Sequence, residues 1–472
     1  MEESPFASLK AALRGTLITR EDEDAFTAAR SRGWNRDLNL RANPLAFAVV
    51  SGVRDIVTTV NYCRSNKIPI AVRGKGAHSP YGMANNAVVI DLMKMTAVSV
   101  DPEKKLAYIQ AGADGGDVDH ETALHNLICI TGSVSHTGFA GVALGGGLGH
   151  LSRWLGPVVD SIVSYEMVTA AGEVIRVDEA SDPELFWGMR GNGASFGIVT
   201  EFVVRLRDMP NGGIIRSAPI LWAADKAKEV MTSWMGRIGR GDRKETETLQ
   251  FVFMHSPDGL PVCGVVPLIV GETEAAAKAT CDELASFGGG AQVRHDTQLP
   301  YTALQAALDT LVPFNTNYWD KGVFINWDPR DTSAVNSIVD VAVKHWSEKP
   351  EFASKLSTFI LFMEVDAAVG RADPASTSFA GRKGRLWCSC ITSWPDDDAS
   401  QRAASKRWCG ELVAKLSRFH VTSYLNNAMP ESEAEMLEVF PQDTMKRLRA
   451  LKEKVDPNNV FKTGAWQYEA NK

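Results

Sequence analysis

A chain of 472 residues that is 44% apolar can bury more than one core, so two lobes are expected. A formal charge of −7 and an isoelectric point near 5.8 leave no basic footprint for nucleic acid and no attraction to anionic lipid, which points to a small-molecule partner. Met1-Glu2-Glu3-Ser4-Pro5 lacks the basic leader and apolar stretch of a secretion signal, and no apolar run is long enough to span a membrane. A cytoplasmic protein without a membrane partner is therefore expected.

In chain order, residues 1–34 read as helical with mixed charge, within an N-terminal segment 1–39 expected to pack on the outside. From Pro44, strand and helix alternate: Val53 to Cys63 places apolar residues at helical spacing, and Lys67 to Val72 reads as a buried strand. Short strands then dominate, at 87–92, 98–101, 106–112 and 167–177, the last folded at Ala171-Gly172-Glu173. Met209-Pro210-Asn211-Gly212-Gly213 is a turn cluster and the expected linker. Beyond it, 265–270 and 359–366 read as strands, with Pro267 assigning the first to a sheet edge. Stretches 273–287, 333–347 and 399–419 read as amphipathic helices. The expected class is α+β with two lobes, the second an antiparallel sheet backed by helices on one face. The expected divisions are 1–39, 40–208, 209–423 and a tail, 424–472, that returns to the first lobe.

Seven cysteines leave at least one unpaired and show no metal-ligand spacing, so buried free thiols and no metal site are expected. Cys388 and Cys390 fall on one face of a strand.

The chemistry is concentrated in three glycine-rich loops. Arg73-Gly74-Lys75-Gly76-Ala77-His78-Ser79 follows the buried strand, and Gly82 closes that turn. Gly132-Ser133 leads through Gly138, Gly141, Val142 and Leu144 to Gly145-Gly146-Gly147 and Gly149. The third loop, Arg190-Gly191-Asn192-Gly193, precedes Gly197-Ile198-Val199. Glycine admits close backbone approach, so such loops can present amide N–H groups to a phosphate. The absence of G-x-G-x-x-G and G-K-[ST] fingerprints argues against a Rossmann crevice and a P-loop.

These loops, with Pro44 to Val50, Glu184-Leu185-Phe186-Trp187-Gly188 and Phe196 to Glu201, resemble the PCMH-type FAD-binding domain of the vanillyl-alcohol oxidase superfamily. Tyr424-Leu425-Asn426-Asn427 and Asp456-Pro457-Asn458-Asn459-Val460-Phe461 resemble the closing segment of its berberine-bridge-enzyme-like and 6-hydroxynicotine-oxidase-like branch. The resemblance implies FAD as cofactor, its pyrophosphate on the first two loops and its adenine end beside Gly197 to Val199. It also implies a covalent bond from His78 to the flavin, although four residues separate Arg73 from His78 where the family has three; the competing role is a histidine that only hydrogen-bonds nearby. Val134 stands where bicovalent members carry a cysteine, so attachment is monocovalent at most. Thr137 falls at the position resembling the oxygen gatekeeper, where a small side chain favours an oxidase.

A group that takes the substrate's heteroatom proton is also needed. Glu364 is the first candidate, with Asp366 on the same strand face; Tyr424 and His136 are the others, and the resemblance implies that Tyr424 and Asn426 lie near the flavin ring. For Glu364 and Asp366 the alternative is a salt bridge between lobes. Trp319, Phe324, Trp327, Trp387 and Trp394 read as pocket wall or core. The leading function is an oxidase that takes hydride from a C–H beside a hydroxyl or amine of a small molecule, a secondary metabolite, and passes it to molecular oxygen. The alternatives are a dehydrogenase with another acceptor, a non-redox cyclase or pericyclase with structural FAD, and a flavin-binding protein without turnover.

Overall fold

The computed structural model describes residues 5–76, 82–355, 357–428 and 432–462. Three larger sheets organise them. In the first, Ala46–Val49, Val88–Asp91 and Ile70–Arg73 run parallel, every residue of the first two buried, as expected of strands covered on both faces. Thr16–Thr19 adds an antiparallel edge strand. The helical reading of the N-terminal segment is corrected here: Thr16, Ile18 and Thr19 are β-branched, and the strand pairs with Ala46–Val49 between helices Ala7–Ala12 and Glu23–Ser31.

The second sheet, wholly antiparallel, orders Val98–Asp101, Leu106–Gln110, Ile198–Arg205, Ile162–Val168 and Val174–Val177. Its last hairpin turns through Gly172, whose φ of 79° is the left-handed conformation glycine tolerates. These two sheets share one core with the returning helix Gln442–Val455. Lys452 on that helix donates from Nζ to the Ser195 and Phe461 carbonyls and pairs with Asp456, fastening the tail to the first lobe.

The third sheet has ten antiparallel strands among the described residues. Period-two alternation divides its central strands cleanly. Phe251, Phe253, Ile360, Phe362, Cys388 and Cys390 face helices Ala227–Ile238, Thr332–Ser347 and Ala399–Lys415 and share a core with Trp234, Ile338 and Trp408. Phe359, Leu361, Trp387, Ser389 and Ile391 face the other way, toward the first lobe. All seven cysteines are buried free thiols.

Pro267 does not mark an edge. Pro261–Val270 pairs along its whole length with Glu247–His255, and its other side pairs with Ile220–Ala223 through Val265 and with Ile214–Ser217 from Leu268. Pro267 sits in the gap where that neighbour changes, a place that asks for no ladder N–H on that side. The Asn211-Gly212-Gly213 linker turns through three positive φ angles. No described helix is long and apolar enough to cross a membrane.

Candidate active site

Between the glycine loops and the third sheet lies a cavity of about 300 Å³. Its floor is backbone: Arg73, Gly74, Lys75, Gly76 and Gly82 from the first loop; Gly132, Ser133, Gly138, Gly141, Val142, Leu144 and Gly145 from the second; and Gly197, Ile198 and Val199 at the start of Ile198–Arg205. Ala77, His78 and Ser79 lie outside the described residues. Gly76, just before them, accepts from the Trp34 N–H at 2.6 Å.

The glycines divide by what a side chain would meet. At Gly141 an added Cβ finds nothing within 4 Å, and at Gly76 and Gly132 the nearest atoms are 3.9 and 3.7 Å away, so these three open onto the cavity. A surface of bare backbone suits a flat cofactor that packs against it. Gly146, Gly147 and Gly149 correct the sequence reading, because they are off the cavity wall. A Cβ on Gly146 would sit 2.4 Å from the Phe379 ring, on Gly147 2.3 Å from Val158, and on Gly149 2.4 Å from the Gly132 carbonyl. Internal packing requires these glycines.

The floor's cations are committed to carboxylates. Buried Arg73 pairs with Asp91 at 2.6 Å and lies over the Phe47 ring, while Lys75 pairs with Asp114 at 2.9 Å. A phosphate here would meet loop amides rather than a free guanidinium.

One wall runs from Ser133 to Thr137. Buried His150 holds it, Nε2 donating to the Ser133 carbonyl at 3.0 Å and Nδ1 accepting from Gln250 at 3.2 Å in the tautomer these partners imply. Burial lowers the His150 pKa to about 4, so the ring is neutral and ties this loop to the third sheet. The Ser135 N–H donates to Asp309 at 3.0 Å. His136 lines the cavity with its ring 4.6 Å from Phe314, and burial holds it below the ordinary histidine value. Thr137 also lines it. Val134 packs on the apolar group of Trp34, Val312 and Tyr318, and among the described residues no cysteine reaches the cavity.

Tyr424 closes the far end. Its phenol oxygen accepts from the Gly147 N–H at 3.0 Å, the Leu148 N–H at 3.1 Å and Asn426 Nδ2 at 2.9 Å. Burial outweighs these donors and pushes the phenol up to about 12, so it is protonated at neutral pH. Asn426 also donates to the Val142 carbonyl, joining the returning tail to the second loop. The Tyr424 ring packs edge-on against Phe324, Phe379 and Trp387. Tyr424 thus lines the cavity and joins the lobes at once.

Glu364 does neither. It is buried off the cavity, where both oxygens accept from the Arg243 guanidinium and Oε2 also accepts the Leu249 N–H at 2.6 Å. Burial raises its pKa, and the guanidinium fork keeps it an ion. Asp366 pairs with Arg153 at 2.8 Å. Strand alternation turns both residues inward, Glu364 onto Arg243 of its own lobe and Asp366 onto Arg153 of the first lobe. Of the aromatic candidates, Trp387 lines the cavity, Trp319, Trp327 and Trp394 lie in the helix-side core, and Phe324 packs beside Tyr424.

Trp34 and Asp320 are among the wall residues that escaped the sequence reading. Trp34 comes from the N-terminal segment and stacks on Tyr318 at 4.0 Å, so that segment contributes to the cavity as well as covering the outside. Asp320 is fully buried on the third sheet and faces the cavity. Its one signal was a carboxylate inside the apolar strand Asn317–Ile325, a placement that costs free energy unless it is used.

Residues 44–178 match the FAD binding domain family. An FAD-linked oxidoreductase of Dictyostelium discoideum is 28% identical over 94% of this chain and 93% of its own length. The (R)-6-hydroxynicotine oxidase of Paenarthrobacter nicotinovorans is 36% identical over 42% of this chain and 43% of its own. Among solved structures, 6-hydroxy-D-nicotine oxidase from Arthrobacter nicotinovorans superposes with a TM-score of 0.83 at 22% identity, covering 98% of this chain and 99% of that one. Physcomitrella patens BBE-like 1 gives 0.82 at 19%, covering 97% and 98%. The glycine-floored cavity, the matched domain and the whole-chain likeness agree: this chain is an FAD-linked oxidoreductase with an FAD binding domain at 44–178, and it shares the fold of 6-hydroxy-D-nicotine oxidase and the BBE-like protein.

Proposed function

We propose that the protein is an FAD-dependent oxidase that takes hydride from a C–H beside a hydroxyl or amine of a small molecule, a secondary metabolite, and delivers the electrons to oxygen as hydrogen peroxide. The observation that carries this reading is one cavity with a floor of bare glycine backbone and a roof of side chains, which leaves room for a substrate above a flat cofactor. FAD, when bound, supplies the hydride acceptor. On this reading residues 40–208 and 424–472 hold the flavin, through a single covalent bond from His78, and 209–423 form the substrate lobe. His136, kept neutral by burial, takes the heteroatom proton. Tyr424, a protonated phenol, offers its O–H to the substrate or the flavin.

Thr137 tests the acceptor. Thr137→Leu should slow reoxidation of the reduced flavin by air about tenfold, equivalent to ~1.4 kcal/mol in barrier, while leaving anaerobic reduction by substrate nearly unchanged. Stopped-flow absorbance separates the two half-reactions. Reduced unmodified enzyme that persists in air would make the protein a dehydrogenase. Substrate consumed with no bleaching at all would make it a non-redox cyclase.

A further inference from the structure

Arg73 ends strand Ile70–Arg73 and its register partner Asp91 ends the parallel strand Val88–Asp91, at the carboxyl ends where open α/β sheets receive ligands. Asp91 Oδ2 accepts from Arg73 Nη2 at 2.6 Å and also from Arg32 Nη2, while Oδ1 accepts the Met93 N–H at 3.1 Å. No second carboxylate pairs with either arginine among the described residues. Arginine stays protonated even when buried, so two positive charges against one negative leave the trio at +1. That charge is held inside the protein: the Arg73 and Asp91 side chains are 0% exposed, and Arg32 is 29% exposed. Arg73 Nε has no hydrogen-bond partner among the described residues. Lys75, on the same loop, is the reverse case. It faces two carboxylates, Asp114 at 2.9 Å and Asp117 at 3.4 Å, so the positive potential of this loop comes from its Arg73 end.

We infer that Arg32 is a cofactor-positioning residue: by sharing Asp91 it keeps the Arg73 guanidinium from being neutralised, and the surplus charge draws the FAD pyrophosphate to the Arg73 end of the floor. The pyrophosphate is the one charged part of oxidised FAD. Bound by loop amides alone it would bring uncompensated negative charge into a site of low effective dielectric, which costs free energy. A buried positive charge beside the amides offsets that cost and acts through the field, with no direct contact from Arg32. Arg73 lines the cavity and Arg32 stands behind it. Arg32 also lies outside the matched residues 44–178, so the N-terminal segment takes part in holding the cofactor. The inference rests on the flavin-binding part of the proposed function and is independent of substrate and oxygen.

The test is fluorescence titration of flavin-free protein, carrying His78→Ala so that binding is reversible, with FAD and with riboflavin, which has the same ring system and no phosphate. Arg32→Gln should weaken FAD binding about tenfold, the order expected of one charge acting across about 10 Å at an effective dielectric of about 20, and leave riboflavin binding unchanged. Arg32→Lys keeps the charge and should keep most of the FAD affinity. Added KCl should weaken FAD binding to the parent more steeply than to Arg32→Gln. Inorganic pyrophosphate should compete with FAD and raise the melting temperature of the flavin-free parent, two measurements that need no change at position 32. Equal losses for FAD and riboflavin, no loss for either, or pyrophosphate that neither competes nor stabilises would overturn the inference. Because these titrations read binding rather than turnover, the two readings fail separately. FAD held through Arg32 in a protein whose reduced flavin persists in air refutes the oxidase alone, and rapid reoxidation in a protein whose FAD affinity ignores Arg32 refutes this inference alone.

Discussion

Glu364→Ala should cost about 3–5 kcal/mol of stability, the range for breaking a buried ion pair from one side. The substitution leaves Arg243, whose side chain is 1% exposed, with Glu247 as its one carboxylate partner, and removes the acceptor of the Leu249 N–H. Against a total stability of roughly 5–15 kcal/mol, that loss takes up much of the margin. Arg153 lies 3.8 Å from Glu364 and pairs with Asp366, so the damage should reach the contact between lobes. Urea unfolding of the substituted protein should show a large fall in midpoint, with Glu364→Gln intermediate because the amide still offers one acceptor. Molecules that remain folded should still reduce their flavin with substrate at the normal rate. An unchanged midpoint with lost flavin reduction would reverse the assignment and return Glu364 to the chemistry.

Gly141→Leu should separate folding from cofactor binding. Gly141 lies in helix Phe139–Leu144, where glycine is worse than alanine by up to about 1 kcal/mol, and a Cβ there meets no protein atom within 4 Å. The flavin-free protein should therefore be as stable as the parent or slightly more so. A leucine side chain would occupy the slot above the floor, so FAD affinity should fall by about a hundredfold or more, equivalent to ~2.7 kcal/mol. Gly146→Val provides the contrast. Its φ of 123° and the Phe379 ring 2.4 Å from the added Cβ should destabilise the flavin-free protein itself. Thermal unfolding without flavin and fluorescence titration with FAD distinguish the two kinds of glycine.

Much of this architecture is legible in the sequence because it follows from local periodicity. Val53–Ser65, Glu274–Ala285, Thr332–Ser347 and the strands from Ile70 to Gln110 lie where spacing places them. Alternation also identified Glu364 as inward-facing, but it reports burial and not the partner, and Arg243 lies 121 residues away. Gly141 and Gly146 look alike in sequence; only the positions of Phe379 and the cavity tell them apart. Trp34 was hidden for a similar reason, since its wall is completed by Tyr318 and Val312 from the other lobe. Asp320 required the sheet register, which shows that it shares the cavity face with Ser389 and Trp387 while Trp319 points to the helices.

The central claim is that FAD lies on the floor formed by the glycine loops. Hydrogen–deuterium exchange tests it directly, with His78→Ala protein stripped of flavin and then reloaded with FAD. Loading should slow exchange at the amides of Gly74 to Gly76, Gly132 to Val142 and Gly197 to Val199, and leave those of Val262 to Leu268 unchanged. Protection confined to other segments, or none despite stoichiometric FAD, would contradict the account.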